Sequence, residues 1–169
     1  DQIAQVIRAL VTHPPFAATP PSKIRRPFEF LAALSRAAGA ETPGTNNEHQ
    51  WQLMRAGWRQ HEYGAPTGHP DTLDKWTGAS SLNRLVDYAL NAHAAWFGVA
   101  TAQFDPLPGE TATDFASRWA AQIAPNATGI AEVLQLHTAP ATDMPPETRS
   151  AIAQTAIAFA ALSPEFLLR

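Results

Sequence analysis

The feature that most constrains this chain is where its helix breakers fall. Fifteen prolines and nine glycines lie mostly between stretches whose apolar residues recur every three or four positions. No stretch alternates with a period of two for long enough to make a convincing strand. Proline lacks a backbone N–H and restricts the residue before it, so helices end where prolines cluster. The pattern predicts an all-α domain, an irregular bundle of about six to eight helices with one long Pro/Gly-rich loop. A chain of 169 residues fits one domain, 1–169, and buries a substantial core without a metal or disulfide staple.

In chain order, Ile3, Val6, Ile7, Leu10 and Val11 fall at i, i+3, i+4, i+7 and i+8, one face of a first helix that His13-Pro14-Pro15 stops. After a Pro-rich connector to Ser22, a second helix begins at Pro27, whose fixed φ suits a first helical position. It turns Phe28, Phe30, Leu31 and Leu34 inward before Gly39 ends it. Thr45 and Glu48 have capping-box spacing, ahead of a helix over about 48–59 that presents Trp51, Met54 and Trp58. From Ala79 the helical period returns, with Leu82, Leu85, Val86, Ala89, Leu90, His93 and Phe97 on one face of about five turns closing near Gly98. Thr111 and Asp114 again have capping spacing, and Phe115, Trp119 and Ile123 follow on one stripe. Pro125 breaks that helix. Asn126 is expected to cap the next, where Ile130, Val133, Leu134 and His137 share a stripe. A last helix over about 145–162 places Ile152, Ala156 and Phe159 inward, and Ser163-Pro164-Glu165 starts a final turn bearing Phe166 and Leu167.

Between these helices, the stretch 57–91 gathers aromatic, His, Asp, Gly and Pro residues into one polar loop, 60–77, and runs straight into the longest amphipathic signal. Loops of this composition carry function or cap a helical core. His61, Glu62, His69, Asp71 and Asp74 offer imidazole and carboxylate, the ligands that zinc and similar metals need. Their spacing matches no established metal motif, and no HExxH occurs. The reading preferred over a metal site is that the aspartates cap turns and helix starts, with His61 and His69 exposed or hydrogen-bonded. Arg84, on the first turns of the following helix, is expected to fork onto Asp71 or Asp74 and tie the loop down. Trp51, Trp58, Tyr63 and Trp76 surround the loop. Exposed rings beside polar groups suit sugar or peptide binding, which makes Tyr63, His69, Asp71, Trp76 and Arg84 the candidate binding surface. Against that, Trp51 and Trp58 sit at helical core spacing and Trp76 is placed to plug the loop onto the domain.

Other chemistries have less support. Ser80-Ser81 precede a helix, as caps do, and no Gly-x-Ser-x-Gly elbow is present. His93 and His137 lie on apolar stripes and read as core histidines bonded to backbone carbonyls. Glu29 and Glu62 form a glycosidase pair only at a separation that sequence does not supply. The glycines are dispersed, so there is no phosphate loop. No cysteine is present, which excludes thiol chemistry and thiolate metal sites, and no cofactor is expected. The net charge of −3, with ten scattered arginines beside Lys23 and Lys75, argues against nucleic acid, which needs a clustered basic stripe. No apolar run approaches the roughly 20 residues of a membrane span. The first residues are already helical in character, which suggests the C-terminal part of a longer protein.

Four landmarks in register carry a resemblance. Pro66-Thr67-Gly68-His69-Pro70-Asp71-Thr72, then Trp76, then Ser81-Leu82-Asn83-Arg84-Leu85, is similar to the "P-x-G-[YW]-P…W…LL-x-R" signature of the bacterial family known as domain of unknown function 1800. Lys23-Ile24 with Pro27-Phe28-Glu29-Phe30, Met54 with Gly57, and Leu162-Ser163-Pro164-Glu165-Phe166 with Arg169 agree in order. The departures are His69 where the family usually has an aromatic ring, Trp58-Arg59-Gln60-His61 where a Gly-Gln-Pro-like approach is common, and Asn83 in place of a small or apolar residue. The resemblance implies a bacterial, often exported, α-helical protein, hence a periplasmic or secreted setting, and no established reaction.

Three functional expectations result. The leading one is a binding or interaction module of a larger protein, partnered by that protein's N-terminal remainder or by a small-molecule, sugar or peptide ligand, with exposed aromatics around 63–76. A purely structural segment comes second and predicts that Trp58, Tyr63 and Trp76 are buried and the loop is pinned by Arg84. Part of a hydrolase site comes third and predicts that His61, His69, Asp71 and Arg84 converge.

Overall fold

The structure, a computed structural model, describes residues 2–18, 23–38, 47–59, 61–70, 72–91, 104–134, 136 and 139–168. Six helices of eight or more residues form its frame: α1 (Gln2–Val11), α3 (Pro27–Ala37), α4 (Glu48–Arg55), α6 (Ala79–Asn91), α7 (Ala112–Ile123) and α9 (Pro146–Ala161). Single-turn helices α2 (Pro14–Ala18), α5 (Leu73–Trp76), α8 (Ile130–Val133) and α10 (Pro164–Leu167), with a 3-10 turn at Ala141–Asp143, connect and close them. Among the described residues no strand forms. Extended pairing is limited to two isolated antiparallel bridges, Ile24 with Leu168 and Thr111 with Pro140. The all-α expectation holds.

The centre of the fold is α9, packed against α6, α7, α8 and α10. Ala153, Ala156, Ala158, Ala160 and Ala161 are buried along it together with Ile157. Small side chains on more than one side let several helix backbones approach closely, and apolar burial drives the packing. Phe159, expected inward, is instead 44% exposed. The alanines take the crowded positions and the large ring is left on the open side.

Opposite α9, α7 turns in Phe115, Ala116, Trp119, Ala120 and Ile123, which includes the whole stripe read from sequence. Its start is capped as expected. The Thr111 hydroxyl accepts the Asp114 N–H at 3.1 Å and donates to the Asp114 carboxylate at 2.7 Å. In α3, Pro27 fills the first helical position, and the Glu29 carboxylate accepts the Arg26 N–H at 2.9 Å. Phe30, Leu31 and Leu34 are buried there, but Phe28 is exposed. Positions 27, 30, 31 and 34 form the inward stripe at helical spacing, and 28 lies off it. In α6, Leu85, Tyr88 and Ala89 face inward, whereas Leu90 is exposed. Burial raises the Tyr88 phenol above its usual range, and the Ser35 hydroxyl, 3.2 Å away, opposes the shift.

Two boundaries differ from the sequence reading. First, α4 stops at Arg55 rather than 59, because Gly57 takes φ 84°. The Trp58 N–H then bonds Leu53 O at 2.8 Å and the Gly57 N–H bonds Met54 O at 3.0 Å, the paired bonds of a Schellman ending. Trp58 therefore leaves the helix, Trp51 points outward, and Gln52, Leu53 and Ala56 are the buried residues. Second, Asn126 does not cap α8, which starts at Ile130 after the left-handed Gly129, φ 78°. Ile130 is buried as expected while Val133 is exposed. Gly39, Thr45, His93, Phe97 and His137 lie outside the described residues.

A clasp joins the two ends of this body. The Arg25 N–H bonds Leu167 O at 2.7 Å beside the Ile24–Leu168 bridge, and Arg25 Nε bonds Phe166 O at 2.6 Å. Phe166, beneath that guanidinium, meets Phe30 edge to face at 5.6 Å. By contrast, every described side chain of α1 and α2 is exposed.

Candidate functional site

The 60–77 loop is organised by rings. Trp76, on α5, is 2% exposed and its indole N–H donates to Pro70 O at 2.7 Å. Burial of the ring holds one end of the loop to the domain, and the hydrogen bond folds the other end over it. His69 then stacks on Trp58, with ring centroids 4.1 Å apart and planes 15° apart, and meets Tyr63 at 4.5 Å. Its Nε2 lies 3.0 Å from Arg59 O. A carbonyl only accepts, so Nε2 carries a proton and donates it. Trp58 continues the pile to Phe28 on α3 at 6.2 Å and to Trp76 at 6.0 Å, with the Arg26 guanidinium 5.2 Å from a Trp58 ring centroid. The rings form a staple from α3 through Trp58 and His69 to Tyr63, with Trp76 beneath it. Of the three rings that the loop gives to this pile, Tyr63, His69 and Trp76, Tyr63 is the most exposed.

The charged residues are arranged differently from the sequence reading. Asp71 lies outside the described residues. Arg84 pairs with Asp87 on its own helix at 3.8 Å, and Asp74 is not its partner. The Thr72 hydroxyl holds the exposed Asp74 carboxyl below the usual carboxylate range. Among the described residues, rings fasten the loop. His61 is exposed with φ 62°, an uncommon left-handed conformation for a residue with a Cβ. Glu62 faces Arg59 at 3.6 Å, both exposed, and Glu29 is engaged by Arg26, so each glutamate of the considered carboxylate pair has an arginine neighbour. Among the described residues no group of three or more His, Cys, Asp or Glu is placed to hold a metal ion. Ser80 is exposed, and Ser81 only approaches Ala56 O at 3.5 Å. The structure brings Tyr63, His69 and Trp76 together and leaves Arg84, His61 and Asp74 apart from that cluster.

Two features went unread in the sequence. Glu110, buried at the foot of α7, accepts from Arg118 through both oxygens at 2.7 and 2.9 Å, and from the Leu107 N–H at 2.9 Å. Arg118 also donates to Asp105 O at 3.1 Å and lies over the Phe115 and Trp119 rings. The Arg118 hydrogen bonds hold the Glu110 carboxyl below its usual range, and the same contact raises Arg118. This pair fixes the 104–111 segment over α7. An acid just before a helix with an arginine two turns inside it is the signal that could have revealed it.

The second feature is the outer face of α1 and α2. Ile3, Val6, Ile7, Leu10, Val11 and Phe16 are 47–70% exposed, and α1 buries no residue. The stripe was legible, but periodicity says nothing of what covers it. Six apolar side chains about half exposed or more leave roughly 500 Å² of apolar surface open, near the upper end for the largest patch on a monomer. No helix among the described residues is long and apolar enough to cross a membrane.

Comparison with known proteins returned no matching curated protein and no matching solved structure. A family model described as protein of unknown function, DUF1800, matches residues 1–168, and the chain belongs to that family.

Proposed function

We propose that this domain is a polypeptide-interaction module whose contact surface is the apolar face of α1 and α2. The observation that carries the reading is a ten-residue helix with a continuous apolar stripe and no buried residue. Isolated helices shorter than about 12–15 residues are marginal in water and depend on packing of their apolar face. A stripe at i, i+3, i+4 and i+7 is the pattern by which a helix docks into an apolar groove of another protein. The remainder of a longer parent chain would meet this face in cis and a separate polypeptide in trans. The bacterial, exported setting implied by the family resemblance belongs to this proposal.

In the same reading the 60–77 loop is a structural clasp. Trp76 is spent inside it, and the stacked faces of Trp58 and His69 are turned toward other rings. Tyr63 remains as a rim contact.

The test is photo-crosslinking in producing cells from a photoreactive residue at position 10, with position 117 on α7 as control. Leu10 and Ser117 are both exposed. A discrete polypeptide adduct from position 10, absent from 117 and lost in an Ile7→Glu background, is the expected result. Equal labelling from both positions, or none, refutes the reading.

A further inference from the structure

We propose that the occupant of the α1–α2 face is a second copy of this chain, in a two-fold pair that crosses α1 on α1. The inference rests on the interaction reading above and adds the identity of the partner. Stripe width is the first argument. Val6 and Val11 flank the seam formed by Ile3, Ile7 and Leu10, at the positions where a two-stranded coiled coil carries charged residues. A single facing helix would leave these valines uncovered, so the face calls for two. An identical copy supplies two, its own α1 and the turn of α2 that presents Phe16.

Charge is the second argument. Across residues 2–18 the one charged side chain, with His13 neutral, is Arg8. The face therefore meets its own image without a row of like charges, which a two-fold interface requires because the same patch serves both sides. The same neutrality disfavours a lipid surface, since helices lying on membranes carry Lys and Arg along the polar face. Extent is the third argument. Two faces of roughly 500 Å² bury on the order of 1,000 Å² in total, the lower limit for a biological interface and the size of a weak, concentration-dependent pair.

Sedimentation velocity of the purified chain from low to high micromolar concentration tests this. The expected result is a concentration-dependent doubling of mass. Ile7→Glu should weaken the association at least tenfold, while Ser117→Glu on α7 leaves it unchanged. Ile7 is exposed, and an unchanged far-UV circular dichroism spectrum and melting midpoint show that the variant still folds. A monomer throughout the range, or a dimer indifferent to Ile7→Glu, overturns the second copy. If the chain sediments as a monomer while position 10 still gives a discrete adduct with another polypeptide, the pair falls and the interaction module stands. If there is neither dimer nor adduct, both fall.

Discussion

Replacing Trp76 by alanine should remove the anchor of the 60–77 loop, and its cost can be worked from the structure. A buried tryptophan covers about 150–250 Å², worth about 4–6 kcal/mol at about 25 cal/mol per Å². The alanine methyl keeps a small part of that. Loss of the indole hydrogen bond to Pro70 O, 2.7 Å long, adds about 1 kcal/mol. Partial collapse of Trp58 and His69 into the space, and the loop's freedom to fray without unfolding the bundle, offset some of the loss. We expect Trp76→Ala to cost about 3–4 kcal/mol, within the usual span for aromatic truncation in a core. Trp76→Phe, which keeps most of the ring and loses the donor, should cost about 1–2 kcal/mol. Urea unfolding followed by far-UV circular dichroism is the assay, since the five tryptophans make fluorescence a composite signal. With a slope of about 2 kcal/mol per molar urea, the alanine midpoint should fall by about 1.5–2 M. An alanine variant within about 0.3 M of the wild type would refute the claim that this ring holds the loop in place.

Two further perturbations test the frame around α7. Glu110→Gln should cost about 1–2 kcal/mol, the lower part of the range for charge-assisted hydrogen bonds, because the Arg118 side chain is 32% exposed and partly screened. The Glu110 carboxyl is held low in the folded state. Its contribution is therefore fully present above the ordinary glutamate value of 4.5 and is lost as pH falls through the lower folded value. Thermal midpoints across an acid titration should fall more steeply for the wild type than for Glu110→Gln, and parallel curves would count against this assignment. Thr111→Ala removes the acceptor of the Asp114 N–H and should lower stability by about 1 kcal/mol, read as a drop in the calorimetric melting temperature.

What the sequence disclosed was local, and what it concealed was decided by neighbours. The Thr111 cap and the Phe115, Trp119 and Ile123 stripe depend on residues within three or four positions of one another, so spacing alone reveals them. Phe28 and Phe159 show the limit of that method. A large ring near an inward position reads as core, yet α3 turns its 27, 30, 31 and 34 side inward and α9 gives its crowded positions to alanine. Small residues carry little signal in a hydrophobicity pattern, although they allow helices to come close. Composition singled out the 60–77 loop, but not the rings that pack it. The ionic tie expected from Arg84 to Asp71 or Asp74 is not made to Asp74, and Asp71 lies outside the described residues. Ring stacking through His69 supplies a tie that charge alone did not suggest. An imidazole between Trp58 and Tyr63 stacks as an aromatic ring does. Its bond to Arg59 O joins residues ten apart across an irregular loop, which no periodicity reports.

The clasp at Ile24 and Leu168 also gives the domain a cyclic character. Antiparallel bridging places the two backbones about 5 Å apart, so residues 24 and 168 could be joined by a linker of about two to five residues. The order in which the helices are threaded would then become a matter of where the ring is cut, and the exposed turn at 64–67 offers a cut far from the central alanines. In that permuted chain the linker takes the place of residue 23 on the Ile24 nitrogen, so α1 and α2 are left out and the closed body stands without them. Comparing the closed ring with the full chain would then separate contact at the α1–α2 face from stability of the body.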